Sequence, residues 1–329
     1  MARMKRAHFF AALLCLAIAA PAIHTRSAAQ VPPPASSRQL VILDTDIGDD
    51  IDDAFALGLL LRSPELRLLG VQTAFGDTEL RARLVDRYLS VLGRRDIPVL
   101  AGVPGKNTHF TQAAYALQQP AHMHASAVDF LLNQIRLHPG QITLIAIGPL
   151  FNIQAAIERD PATFKKLKRV VIMGGSVYRG YDNNKTGDTH RPPSPEWNIV
   201  CDPAGARALF NSGVPVFVMP LDSTQVHLAH AALGAVLSHG SPLTDQITLL
   251  YHQWTGADEW RSPTLFDPVA VTYTIRPDLC PTKPMRLEVD DAGYTRPADG
   301  TPNVNVCLES KEIEFLDLLS SRLLSDGGK

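Results

Sequence analysis

The stretch Leu40-Val41-Ile42-Leu43-Asp44-Thr45-Asp46-Ile47-Gly48-Asp49-Asp50-Ile51-Asp52-Asp53 passes from an unbroken aliphatic run into six carboxylates within ten residues. Four aliphatic residues without polar alternation suit a strand covered on both faces, as in a parallel sheet. Gly48 supplies a tight turn, and the apolar residues from Ala54 onward predict a helix over Asp53–Leu61. A strand whose C-terminal end runs through a polar turn into a helix is the unit from which α/β sheets build ligand crevices.

The same rhythm continues along the chain. Strands are expected at Leu68–Thr73, Ile97–Leu100, Ile142–Ile147, Val170–Met173 and Val214–Met219, alternating with helices at Thr78–Leu92, Ser126–Leu137, Phe151–Arg159 and Asp202–Asn211. That alternation gives the class: α/β, with a mostly parallel Rossmann-like central sheet flanked by helices. Met285–Val289 and Asn303–Leu308 flank a Gly/Pro/Asp-rich stretch and predict a C-terminal β-hairpin, and Glu312–Leu324 predicts a terminal amphipathic helix. Tyr178–Pro195 and Lys106–Pro120, the latter with His109, Phe110 and Gln118, break the rhythm. The first of them follows the strand ending at Met173, where loops of an α/β sheet carry function. No repeat or linker interrupts the chain after residue 38, so residues 39–329 read as a single domain.

With 329 residues and 45% apolar content, the chain can bury a substantial core, which excludes disorder as a description of the whole. Lys and Arg number 31 against 33 Asp and Glu, so there is no basic excess to track a nucleic acid. The one long apolar run, Phe9–Ala20, follows Arg3, Lys5 and Arg6 and is short for a membrane span. Residues 1–29 therefore read as a signal peptide and 30–38, with Pro32-Pro33-Pro34, as a tether, which implies export to the periplasm or beyond and no stable membrane association after cleavage. Losing Arg3, Lys5, Arg6 and Arg26 moves the formal charge from −2 to −6. Cys201, Cys280 and Cys307 would remain; a Cys280–Cys307 bridge is open to an oxidising compartment, and no CxxC or His-x-x-x-His spacing points to zinc. Any metal is expected on oxygen ligands.

Six aspartates in one turn raise each other's pKa, because neighbouring like charges disfavour joint ionisation. A divalent cation removes that cost, and calcium suits a shell of carboxylates, carbonyls and water. The plain alternative is a solvated turn in which Asp52 or Asp53 caps the helix. An EF-hand does not fit, since the glycine falls too early and no glutamate closes the loop. The Asp-x-Asp phosphatase signature lacks its Thr or Val after Ile47.

Further short motifs follow in order: Ala146-Ile147-Gly148-Pro149-Leu150-Phe151-Asn152-Ile153, Val171-Ile172-Met173-Gly174-Gly175, Pro195-Glu196-Trp197-Asn198-Ile199, Cys201-Asp202-Pro203, Leu221-Asp222-Ser223-Thr224 and Asp267-Pro268. Together with Asp44-Thr45-Asp46-Ile47-Gly48 and Asp52-Asp53-Ala54, this series resembles the nucleoside hydrolases, calcium-dependent N-ribohydrolases of the inosine–uridine type, from about residue 39 to the C-terminus. The resemblance implies hydrolysis of the N-glycosidic bond of ribonucleosides to free base and ribose, Ca2+ as cofactor, a role in purine or pyrimidine salvage, and a homodimer or homotetramer. By motif, Asp46, Asp53, the Ile147 carbonyl and Asp267 resemble metal ligands, with Asp46 also the general base toward water and Asp52 a ribose contact. Two extra residues before Asp52-Asp53 leave the ligand assignment open among Asp49, Asp50 and Asp52, with Asp50 a further candidate ligand. Asp267 is also counted among the substrate contacts. Glu196 and Asn198, two apart on an expected extended segment, would both face the sugar. Asp77 stands where the family has an asparagine, as a ribose or metal contact or as the cap of the next helix.

Where one class of the family has a histidine that protonates the leaving base, this chain has Phe266. An aromatic ring there could stack on the base, as in the purine-preferring class, with Tyr251, Trp254 and Trp260 as further candidates, or these rings could be core. His190 and His252 are the remaining candidate acids, without motif support. Asp202 and Asp222 read as helix caps, and Asn152 as a turn residue. Two other functions fit the same letters: an exported, non-catalytic nucleoside- or ribose-binding protein, and a hydrolase of some other N-riboside.

Overall fold

The computed structural model describes residues 38–106, 110–182, 191–258 and 261–325. The stretch expected as a signal peptide and nearly all of the expected tether lie outside these residues, as do His109, His190 and Trp260. The chain opens with β1 (Gln39–Thr45), α1 (Asp52–Leu61), β2 (Leu66–Thr73), α2 (Thr78–Val91), β3 (Val99–Ala101), α3 (Ala113–Ala116), β4 (Ala125–Ser126) and α4 (Ala127–Leu137). It continues through β5 (Ile142–Ala146), α5 (Phe151–Arg159), α6 (Pro161–Phe164), β6 (Arg169–Met173), α7 (Trp197–Cys201), α8 (Pro203–Phe210) and β7 (Val216–Met219). Then come α9 (Leu221–Thr224), α10 (His230–Ser238), α11 (Pro242–Thr255), α12 (Phe266–Ile275), β8 (Thr282–Met285), β9 (Leu287–Val289), β10 (Thr295–Pro297), β11 (Val304–Cys307) and α13 (Glu312–Leu323).

Nine strands form one sheet in the order β4-β3-β2-β1-β5-β6-β7-β11-β8. All its neighbours run parallel except β11 and β8. Alternate residues of each strand serve opposite faces: Val41 and Leu43 enter an apolar layer with α1, α11, α12 and α13, while Ile42 enters the layer with α4, α5 and α8. Both faces are thus covered, which is why these strands read as unbroken apolar runs. The chain leaves β1 toward β2, β3 and β4, then returns to add β5 on β1's other side. The crevice at a topological switch point therefore opens beyond the C-terminal ends of β1 and β5.

The expected hairpin is corrected. Thr282–Met285 pairs antiparallel with Val304–Cys307 inside the main sheet, whereas Leu287–Val289 turns away and pairs with Thr295–Pro297 in a separate two-stranded sheet. Cys280 and Cys307 form a disulfide. No helix among the described residues is long and apolar enough to cross a membrane.

Candidate active site

Beyond β1 the acidic turn folds over its own strand. Thr45 Oγ1 accepts the Ile47 N–H and donates to the Asp53 carboxylate, so the first turn of α1 is tied to the strand end. Gly48 takes φ of +131°, and a Cβ there would overlap the Phe110 ring, so only glycine meets both demands. Phe110 is followed by Thr111, whose N–H donates to Asp49, and by Gln112, whose N–H donates to the Gly48 carbonyl. Phe110, Thr111 and Gln112, from the stretch that breaks the rhythm, therefore serve as a clamp on the turn.

The other clamp is Arg81, fully buried on α2. Its guanidinium donates to the carbonyls of Asp46, Ile47 and Phe75 and to the Asp49 carboxylate at 2.6 Å. Phe75, the acceptor on the β2–α2 turn, is the one non-glycine described residue at positive φ, 64°. Sequence reasoning passed over Arg81. Its signal was there, since it falls in the stripe Thr78, Arg81, Ala82, Val85, Tyr88, Leu89, and a cation on an apolar stripe must bury and pair.

α12 closes the site from the far end of the chain. The Asp267 N–H in its first turn donates to Asp52 at 3.2 Å, and carboxylate oxygens of Asp52, Asp53 and Asp267 lie within 4.8 Å of one another. Around them lies a cavity of about 390 Å³, also lined by Asp46, Asp49, Asp50, Ile147, Glu196 and Asn198. Burial first, then repulsion among these acids, raises Asp52, Asp53 and Asp267 well above the usual carboxylate range. Asp46 is pushed up to about 6, mainly by burial, with Arg81 opposing the shift. Three buried carboxylates whose burial and mutual repulsion outweigh the opposing charge of Arg81 suit a hard divalent ion, so the donor set fits a metal on oxygen ligands. The structure places Asp52, expected as a ribose contact, in this converging set; Asp46 and Asp50 line the same cavity beside it.

The remaining expected residues sort by what they touch. Glu196 and Asn198 do not lie on an extended segment, a correction. Glu196 caps α7, accepting the N–H groups of Asn198 and Ile199 and that of Gly175 after β6. Burial nonetheless pushes its carboxyl up to about 7. Asn198, the second residue of α7, donates to the carbonyls of Ile147 at 3.2 Å and Met173 at 3.1 Å and lines the cavity. The Ile147 carbonyl thus already accepts one hydrogen bond. Asp77 is exposed, caps α2 through the Leu80 N–H and is not among the cavity's lining residues, so the capping alternative describes it. Asp202 caps α8 as expected. Asp222 is no helix cap: it accepts the Val177 and Tyr178 N–H groups and pins the loop leaving β6. Asn152, expected as a turn residue, instead lies in the first turn of α5, where its side chain bridges Asp44, the Thr73 carbonyl and the Val103 N–H.

Phe266 lines the cavity next to Trp254 and Tyr181, whose ring meets Phe266 edge-on at 6.2 Å. Tyr181 was missed within the irregular Tyr178–Pro195 segment; its hydroxyl accepts the Trp197 N–H. Tyr251 is buried in the core and His252 is exposed. Past the aromatic rings a second hollow of about 260 Å³ carries Gln225, His227 and Arg261.

A crevice at the switch point of a parallel sheet, with carboxylates gathered from distant parts of the chain, defines an α/β protein whose ligand crevice carries a metal-type donor set. The profile of the inosine-uridine preferring nucleoside hydrolase family matches residues 41–317, and the chain belongs to that family. It is 30% identical to the pyrimidine-specific ribonucleoside hydrolase RihA of an Enterobacter species (strain 638), an alignment covering 86% of this chain and 97% of RihA. It is likewise 30% identical to uridine nucleosidase 1 of Arabidopsis thaliana, over 77% of this chain and 79% of that one. Among solved structures, the plant nucleoside hydrolase PpNRh1 superposes with a TM-score of 0.76 at 27% identity, covering 87% of this chain and 99% of its own.

Proposed function

We propose that the protein hydrolyses the N-glycosidic bond of ribonucleosides, with Ca2+ in the acid cluster and purine nucleosides preferred. The supporting observation is the convergence of Asp52 and Asp53 with Asp267, 215 residues later in sequence than Asp52, in one buried cavity. In this reading Asp52, Asp53 and Asp267 hold the ion, with Asp46, Asp50 and the Ile147 carbonyl beside it. When bound, the cation supplies a grip on a sugar diol and a lowered pKa for water. Asp46, buried with a carboxyl near pKa 6, takes the proton from water attacking C1′. The surrounding negative charge stabilises the oxocarbenium-like sugar as the bond breaks. Asn198 receives a ribose hydroxyl, and Glu196 holds Asn198 in place through its backbone. Phe266, Tyr181 and Trp254 wall the opposite side and receive the departing base by stacking.

We further propose residues 39–329 as the catalytic domain, delivered outside the cytoplasm by residues 1–29 and assembled as a homodimer or homotetramer. The test is release of reducing sugar by the purified mature protein from inosine and from uridine, with calcium and with chelator. Calcium-dependent release, faster from inosine, is expected, and Asp46→Ala should abolish it. Unchanged turnover in Asp46→Ala contradicts the assigned base, and calorimetric nucleoside binding without product points to a binding protein instead. Faster release from uridine, the substrate in the Arabidopsis relative's name, overturns the purine preference alone.

A further inference from the structure

Among the described residues, one other group of side chains outside the acidic cavity has the make-up of a metal site. On α2, Glu79, Arg83 and Asp86 share one face, spaced four and three residues apart. The Arg83 guanidinium donates to the Leu117 and Gln119 carbonyls and lays the following segment along that face. This brings His122 and His124 over Asp86. Their rings lie 4.2 Å apart between centroids, and both Nε2 atoms point at the same Asp86 oxygen, His124 at 2.9 Å and His122 at 3.3 Å. One ligand atom from each of the three residues falls within 4.8 Å of the others.

The surroundings of His124 add a second feature. Its side chain is buried, and its Nδ1 faces Glu79 at 2.6 Å. A carboxylate accepting the Nδ1–H fixes the tautomer that presents the Nε2 lone pair, the arrangement by which metal-binding imidazoles are oriented. His122, 54% exposed, keeps one side of the cluster open to solvent, where water can complete a shell. With no metal the same geometry holds a proton: burial opposes charge on the His124 ring, but the hydrogen bonds that its ring donates to Asp86 and Glu79 outweigh it and raise its pKa.

We propose that His122, His124 and Asp86 form a second metal site, selective for zinc or a similar late first-row divalent cation, which staples the segment before β4 to α2. Two imidazole nitrogens and one carboxylate oxygen suit such an ion and not calcium, which takes oxygen ligands. Such a site would differ from the oxygen-only shell expected for the acidic turn. No regular spacing announced this site: His122-x-His124 is three residues long, and its third ligand lies 36 positions before His122. None of the three lines the acidic cavity, so the inference stands apart from the proposed reaction.

The test is titration of Co2+ into calcium-saturated, otherwise metal-free mature protein, read by visible absorption, followed by Zn2+ displacement and by melting curves. One equivalent of cobalt with the strong d–d bands of a low-coordinate nitrogen-containing site is expected, displaced by zinc and not by more calcium. His122→Ala, at an exposed position, and Asp86→Asn should each weaken binding at least tenfold. Zinc should raise the melting temperature of the unaltered protein and not that of His122→Ala. Cobalt bands that persist in His122→Ala, that calcium removes, or that never form would each overturn the proposal.

Discussion

At the scale of single residues, what decides the site is which polar groups are left free by the backbone. Glu196 and Asp77 look equivalent as letters, yet one spends its oxygens on buried N–H groups beside the cavity and the other caps an exposed helix start. Asp77→Ala should therefore cost about 1 kcal/mol of stability, as for other lost caps, and leave turnover unchanged in the same assay. Asp267→Asn should do the reverse: it relieves repulsion among buried acids and so preserves the fold, while lowering turnover at least a hundredfold and weakening calcium binding by calorimetry. Arg81 is different again, because removing a buried guanidinium orphans three carbonyls and Asp49 together. Arg81→Met should lower unfolding free energy by about 3 kcal/mol and calcium affinity by at least tenfold. Arg81→Lys should recover little, since one ammonium cannot reproduce the fork. Urea melts and calcium titrations of the two variants read both effects. The aspartates were legible because six carboxylates in ten residues demand an explanation. Arg81 showed only as a cation on the apolar stripe of α2, and which groups it pairs with is set only when the turn folds over it.

At the scale of elements, legibility followed the hydrophobic period. The inner strands β1, β2, β5, β6 and β7 each bury both faces, so their apolar runs marked them to within two residues, and α5 was expected at the very bounds observed. The C-terminal strands are three or four residues long and mostly polar on one side, so the sequence showed two strands where four exist and could not choose their partners. α7 was misread for a related reason: five residues hold too little periodicity to oppose an extended reading, and its cap is itself a cavity residue. The Cys280–Cys307 bond ties the end of the α12 segment to β11, closing a separation of 27 residues. Cys280→Ser/Cys307→Ser should lose about 3 kcal/mol in denaturant melts, with the loss reproduced by reducing the unaltered protein after unfolding. Equal stability of the oxidised and reduced forms would show that this bond contributes nothing to holding the C-terminal strands.

Across the whole molecule, buried acid is concentrated at one end of the sheet, and this sets how stability should depend on pH. Glu196 and Asp44 are each pushed up to about 7, first by burial, and Asp46 to about 6. In the unfolded chain the same groups titrate near 4, so between about pH 4 and 7 the folded state holds more protons than the unfolded one. Stability then falls as pH rises through this window, opposite to a protein whose carboxylates are paired with cations. Metal-free protein should lose about 3 kcal/mol or more between pH 5 and 8 in urea melts. Calcium should flatten the slope, because it binds the ionised cluster in the folded state alone and adds about 2.7 kcal/mol at a hundredfold excess over its Kd. The difference between the chelated and calcium-loaded curves must therefore widen toward alkaline pH. Two parallel curves would mean that the carboxylates are satisfied without an ion, and the acid cluster would then be architecture and not the seat of a cation.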